Sequence, residues 1–146
     1  MNIIGIGKKL FAVTFLYSLL VLYLHFNFYP YFAIHASWVW FLGVALMIAG
    51  AVLIFKAVRV LYGAICKEEL ATEGPYAIFA NPIYAAWILF ILPGLSFFIY
   101  SWLMLSSSIV MYVALRVFIR SEEDALSEKF ADSYTEYRKK VLIKFL

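Results

Sequence analysis

Two short polar stretches hold most of the side chains in this chain that could do chemistry. The first, Thr72 to Tyr84, carries Gly74, Pro75, Tyr76, Asn81, Pro82 and Tyr84; the second opens with Arg120, Ser121, Glu122, Glu123 and Asp124 and continues with Phe130, Tyr134 and Tyr137 at helical spacing. Glycine followed by proline makes a turn in which backbone groups can approach a ligand closely. The Asn81 amide offers both donors and an acceptor. Neighbouring carboxylates accept hydrogen bonds, and Arg116 or Arg120 can pair an anion. Such groups position and polarise a bound ligand. Cys66, the single cysteine, excludes an internal disulfide framework or thiolate cluster, and neither His25 nor His35 has a second ligand residue at suitable spacing, so redox and zinc chemistry are not expected and no metal is assigned. The two stretches together predict one polar site at a membrane face.

The elements that must position this site lie in a membrane. With 66% hydrophobic and 14% charged residues and a mean hydropathy of +0.91, the chain is far outside the soluble range of roughly half apolar and a quarter charged. A net charge of +3 gathered at a few positions fits topology and lipid contact, and nucleic acid is not expected as a partner. The apolar runs predict an all-α bundle of about four transmembrane helices: Leu10 to Phe28, Ser37 to Tyr62, Ile83 to Phe98 and Tyr100 to Ile119. Pro93 and Gly94 are expected to kink or end the third. An aromatic patch, Phe26, Phe28, Tyr29, Tyr31 and Phe32 around Pro30, suits the headgroup level, where His25 and His35 are also expected. Gly43, Gly50, Ala57 and Ala64 recur every seven residues, a face that lets another backbone come close. Leu126, Phe130, Tyr134, Tyr137 and Val141 predict a C-terminal amphipathic helix that lies on the membrane or caps the bundle.

Lys8, Lys9, Lys56, Arg59, Lys67, Arg116, Arg120 and Arg138 to Lys140 all fall on one side of this four-span arrangement, whereas the opposite loops hold no Lys or Arg. The positive-inside rule then places both termini and both polar stretches in the cytoplasm. No cleavable signal sequence is expected. The chain reads as one membrane domain, residues 1–146, with two N-terminal spans in 1–62 and the polar loop, hairpin and final helix in 63–146.

The ordered set Gly74-Pro75-Tyr76, Asn81-Pro82-x-Tyr84, an apolar hairpin, then Glu122-Glu123 with Leu126, Phe130, Tyr134 and Tyr137 resembles the membrane methyltransferases of the isoprenylcysteine carboxyl and phospholipid N-methyltransferase kind. The resemblance covers Thr72 to Val141. It implies S-adenosylmethionine as cofactor and a lipophilic methyl acceptor from the bilayer, such as a prenylcysteine carboxylate, a phospholipid amine or another small hydrophobic nucleophile. Under that resemblance Gly74, Pro75, Tyr76, Asn81, Pro82, Tyr84, Arg120, Glu122 and Glu123 bind the cofactor, and Asn81, Tyr84, Arg116 and Glu123 serve the reaction. The sequence departs from the pattern at Ala80, where the family has arginine; Lys67, Arg59 or Arg116 could supply the missing cation.

Each of these residues also has a plainer reading. Gly74, Pro75, Asn81 and Pro82 are ordinary turn formers, the tyrosines are interfacial anchors, and the acidic trio could be the first turn of a helix after Ser121. As an ordered set they favour a site. A non-catalytic membrane scaffold of the same fold is the alternative function, motivated by Ala80. A small transporter is disfavoured, because no Asp, Glu, Lys or Arg occurs between Leu10 and Phe55 or between Ile83 and Leu115. The oligomeric state is left open.

Overall fold

Helices built from long apolar runs dominate the computed structural model, which describes residues 3–28 and 37–144. Helix α1 (Ile3–Phe28) and helix α2 (Ser37–Cys66) contain the apolar segments Gly7–Phe28 and Ser37–Cys66, of 22 and 30 residues. At 1.5 Å per residue both exceed the roughly 30 Å of a hydrocarbon core. The protein is therefore an integral membrane protein. After a loop come the single turn α3 (Pro75–Ile78) and then a hairpin. Its descending arm runs through α4 (Pro82–Ala86), a π-turn (Trp87–Ile91) and α5 (Leu92–Phe98), and its return is α6 (Trp102–Phe118). Helix α7 (Arg120–Lys140) follows at a 46° bend.

By length and composition, fewer than four of the described helices qualify as spans. Helix α6 has 17 residues, about 26 Å, at the short limit for crossing the core. It passes as a span only when joined across the bend to α7, so the described residues hold two spanning helices, or three with the bent pair counted as one. The hairpin's descending arm, Pro82–Phe98, is likewise a shorter apolar helix. Pro93 does not end it. A proline lacks the amide proton and clashes with the carbonyl four residues back. The π-turn before it, closed by a hydrogen bond from the Leu92 amide to the Trp87 carbonyl, opens the helix just ahead of the ring, and the helix continues to Phe98.

Gly43, Gly50 and Ala57 are buried on α2, as their spacing predicts. A Cβ placed on Gly43 would lie 2.6 Å from the Phe98 amide nitrogen and 2.7 Å from the Gly94 carbonyl oxygen, so α2 and α5 meet backbone to backbone. Gly94 thus acts as a packing residue. On the other side, Leu10 and Val21 of α1 join Ile88, Leu92, Met104, Met111 and Leu115 in one core, and the Tyr17 hydroxyl meets the Ser106 hydroxyl at 2.9 Å between α1 and α6. His25 is 2% exposed and lies in the last turn of α1. The aromatic patch at Tyr29, Tyr31 and Phe32, together with His35, lies outside the described residues.

The segment after α7 folds back. The Ile143 amide donates to the Ile78 carbonyl at 2.8 Å, and the Ala80 amide donates to the Ile143 carbonyl at 3.0 Å, giving a parallel bridge between Phe79 and Ile143. Tyr134, Tyr137 and Val141 are buried against Leu70, Ala80, Leu126 and Phe130. The apolar stripe expected on the last helix is thereby turned onto the Thr72 to Tyr84 loop.

Candidate ligand pocket

Backbone geometry sets the loop side of the site. Gly74 has φ 58° and ψ −124°, a conformation nearly reserved for glycine, and Pro75 then opens α3 at a first-turn position where a missing amide proton costs nothing. The chain extends through Phe79 and turns again at Asn81, which precedes Pro82 at the start of α4. Asn81 makes no side-chain capping bond there, so its amide remains available to the pocket it lines.

Helix α7 supplies the facing wall. Ser121 does not cap this helix: its hydroxyl donates back to the Phe118 carbonyl at 3.3 Å, and the helix begins at Arg120. The amides of Glu122 and Glu123 donate to the Ile119 carbonyl, both at 3.0 Å, and both carboxylates line the pocket. The Tyr84 hydroxyl donates to Glu122 Oε2 in a long 3.5 Å hydrogen bond. Glu123 Oε1 pairs with Arg138 Nη2 at 3.1 Å, while Arg138 Nη1 donates to the Lys144 carbonyl at 2.8 Å. The Tyr137 hydroxyl donates to the Tyr76 carbonyl at 2.9 Å. These bonds bring the two polar stretches of the sequence together.

Burial governs the titration of these groups. It pushes the Glu122 carboxyl above its ordinary range, an effect that the Tyr84 hydrogen bond opposes and the Glu123 charge reinforces. The Tyr137 hydroxyl is pushed up to about 12 by burial and then by Tyr134. Tyr76 is raised as well, first by burial and then by Tyr137. These tyrosines are therefore neutral donors at physiological pH. Two carboxylates against the Arg138 guanidinium leave the lining net negative, a setting that attracts cations.

The sequence-predicted residues divide into four groups. Asn81, Glu122 and Glu123 line the pocket; Tyr84 and Tyr76 touch lining residues; Gly74, Pro75 and Pro82 shape the backbone around it. Arg116 and Arg120 are exposed and do not line it. Lys67, Arg59 and Arg116 are exposed and do not line the pocket; the cation that lines it together with Ala80 is Arg138. Sequence reading missed it because it stood in a run of three basic residues; its position one helical turn after Tyr134 was the available signal. The cavity is about 20 Å³, far below the roughly 300–1,000 Å³ of small-molecule sites. The far part of α7 closes it, beyond Ala131, a non-glycine residue held at φ 39°, where backbone strain is expected.

Apolar helices long enough to cross a membrane, with a small acidic pocket lined by Tyr134 and Tyr137, define an integral membrane protein. The phospholipid methyltransferase family model matches residues 38–133, and the chain belongs to that family. The match runs from α2 into α7 and takes in Asn81, Tyr84, Glu122 and Glu123, leaving α1 and Arg138 outside. Comparison with curated proteins and with solved structures gives no match.

Proposed function

We propose that this chain transfers a methyl group from S-adenosylmethionine to a lipophilic amine drawn from the bilayer, at the cytoplasmic face of the membrane. The observation that carries the reading is the convergence of Glu122 and Glu123 on Asn81 in a chain of a methyltransferase family. When bound, S-adenosylmethionine supplies an electrophilic methyl carbon on a cationic sulfur. The donor set suits it: the net negative lining favours its sulfonium and ammonium charges, Asn81 can pair a purine edge, and the Arg138 guanidinium can pair a carboxylate. Room for it requires the far part of α7 to swing about Ala131, releasing the Tyr137 and Arg138 bonds described above.

An amine is the acceptor class that this lining favours. A carboxylate acceptor would meet two like charges, whereas an amine must shed a proton on methylation, and Glu122 can take it. Tyr84 holds the Glu122 carboxylate in place. The main work of these residues is positioning two ligands in line, which needs no covalent intermediate. The cytoplasmic assignment rests on the basic residues clustered at this end.

Calorimetry in detergent micelles tests the reading: wild-type protein is expected to bind S-adenosylmethionine, Tyr84→Phe to bind it several-fold more weakly, and Arg138→Ala about tenfold more weakly, or roughly 1.4 kcal/mol. The Arg138 pair is only half-buried, so its loss should cost at most about 1 kcal/mol of stability. Absence of binding by wild type at millimolar ligand would overturn the enzyme reading in favour of a non-catalytic scaffold.

A further inference from the structure

A second cavity of about 560 Å³ lies on the bilayer side of the fold, between α1 and the hairpin, and its surface is almost wholly apolar. Along α1 it runs from Lys8 to Leu22, about 21 Å at 1.5 Å per residue, so it extends from one interface well into a core of roughly 30 Å. Trp87 and Leu95 of the descending arm and Met104 of α6 form the opposite wall. Thr14 on the α1 side spends its hydroxyl on the Leu10 carbonyl of its own helix at 2.9 Å and leaves that stretch apolar in character.

Two features say what should fill this groove. The first is charge: Lys8 is its only charged lining residue and stands at one end. The second is where that end lies. A Cβ placed on the neighbouring Gly7 would be 3.4 Å from the Tyr84 hydroxyl, and Phe11, in the groove wall, has its ring centroid 6.4 Å from that of Tyr84 and 5.3 Å from that of Trp87. Tyr84 in turn reaches Glu122 in the polar pocket. One aromatic layer therefore separates the mouth of an apolar groove from the acidic pocket, with a lysine at the same level.

We propose that this groove seats one acyl chain of the lipid acceptor, with Lys8 pairing a phosphate in its headgroup and Tyr84 marking where the headgroup meets the polar pocket. The inference deepens the reading of a lipophilic acceptor and rests on it. Its wall on α1 lies outside the residues of the family match, so the selectivity assigned to Lys8 belongs to this chain's own N-terminal helix. A phosphate at an interface is held by a lysine as a point charge, and the apolar chain beneath it keeps the headgroup from drifting, which is the positioning that methyl transfer needs.

The test uses the full chain with Trp38, Trp40 and Trp102 changed to Phe, leaving Trp87 as the only fluorophore of its type, in nonionic micelles. Phosphatidylethanolamine with brominated chains should quench Trp87 saturably, with half-saturation at a mole fraction at least tenfold lower than for diacylglycerol with the same brominated chains. Lys8→Gln should erase that difference, and Ala12→Phe, which narrows the groove, should abolish saturation. Equal, non-saturating quenching by both lipids, or a phosphate preference that survives Lys8→Gln, would overturn the proposal. So would unquenched Trp87 in a protein that runs as two copies per micelle, which would give this face to a second chain. Saturable quenching without S-adenosylmethionine binding in calorimetry would keep the groove and remove the enzyme reading; cofactor binding without saturable quenching would do the reverse.

Discussion

Glu122→Gln should lower methyl transfer by about 10²–10⁴-fold, the usual worth of a positioned general base, and at neutral pH it should raise the melting temperature. Both effects come from burial. The folded protein holds this carboxyl above its ordinary range because water is largely removed and Glu123 stands beside it. A carboxyl raised in the folded state contributes its stability fully below its unfolded pKa, and that contribution is lost as pH rises through the folded value. At neutral pH the wild type therefore carries a poorly solvated negative charge that glutamine lacks, while glutamine can still accept the Tyr84 hydrogen bond. The melting curves of the two proteins should converge near about pH 4, where the glutamate is largely protonated in both states. The same ionisation should appear as an acid limb in wild-type kcat/KM, placed above the ordinary carboxylate range. Activity within tenfold of wild type, or a lowered melting temperature at neutral pH, would remove Glu122 from the role of base.

The polar site was legible in the sequence because its residue types are rare in an apolar chain. Asn81, Glu122 and Glu123 stood out against the surrounding helices, and the structure puts all three around one cavity. The glycine stripe of α2 was equally legible, since a seven-residue recurrence of small residues has few uses other than close helix contact. What composition could not give was length in space. Hydropathy counts apolar residues, and the segments read as third and fourth spans are apolar throughout; the hairpin reverses where they were divided, at Ile99 to Ser101, with Tyr100 at φ 55° and the Ser96 hydroxyl bound to the Ser101 carbonyl at 2.6 Å, but its arms are shorter than α1 and α2. Arg138 escaped because basic runs near a chain end read as topology signals, and its role depends on a backbone bend at Ala131. An alanine gives no sign of such a bend. The bridge between Phe79 and Ile143 was beyond reach for a similar reason: it joins two extended residues across most of residues 63–146, with no strand-like pattern on either side.

The largest structural effect is expected at Gly43, far from the pocket. Gly43→Leu should leave little folded protein, a loss on the order of 4–5 kcal/mol, because the obstacles are backbone atoms. The Phe98 amide nitrogen and the Gly94 carbonyl oxygen lie 2.6 Å and 2.7 Å from where even a methyl group would sit, and neither can rotate away as a side chain can. The helices would have to separate, exposing the α2–α5 seam and tilting the hairpin that begins with Asn81, Pro82 and Tyr84. Gly50 gives the contrast: its nearest obstacles are the Ile91 and Phe90 side chains, so Gly50→Ala should cost about 1–3 kcal/mol, typical of overpacking. Gly63 has nothing within 4 Å, and Gly63→Ala should stabilise α2 by up to about 1 kcal/mol through helix propensity. Thermal melting and size-exclusion profiles of the three variants in one detergent measure this order directly. If Gly43→Leu melted within a few degrees of wild type, α2 and α5 could not be in backbone contact, and the hairpin would need another support to bring Tyr84 to Glu122.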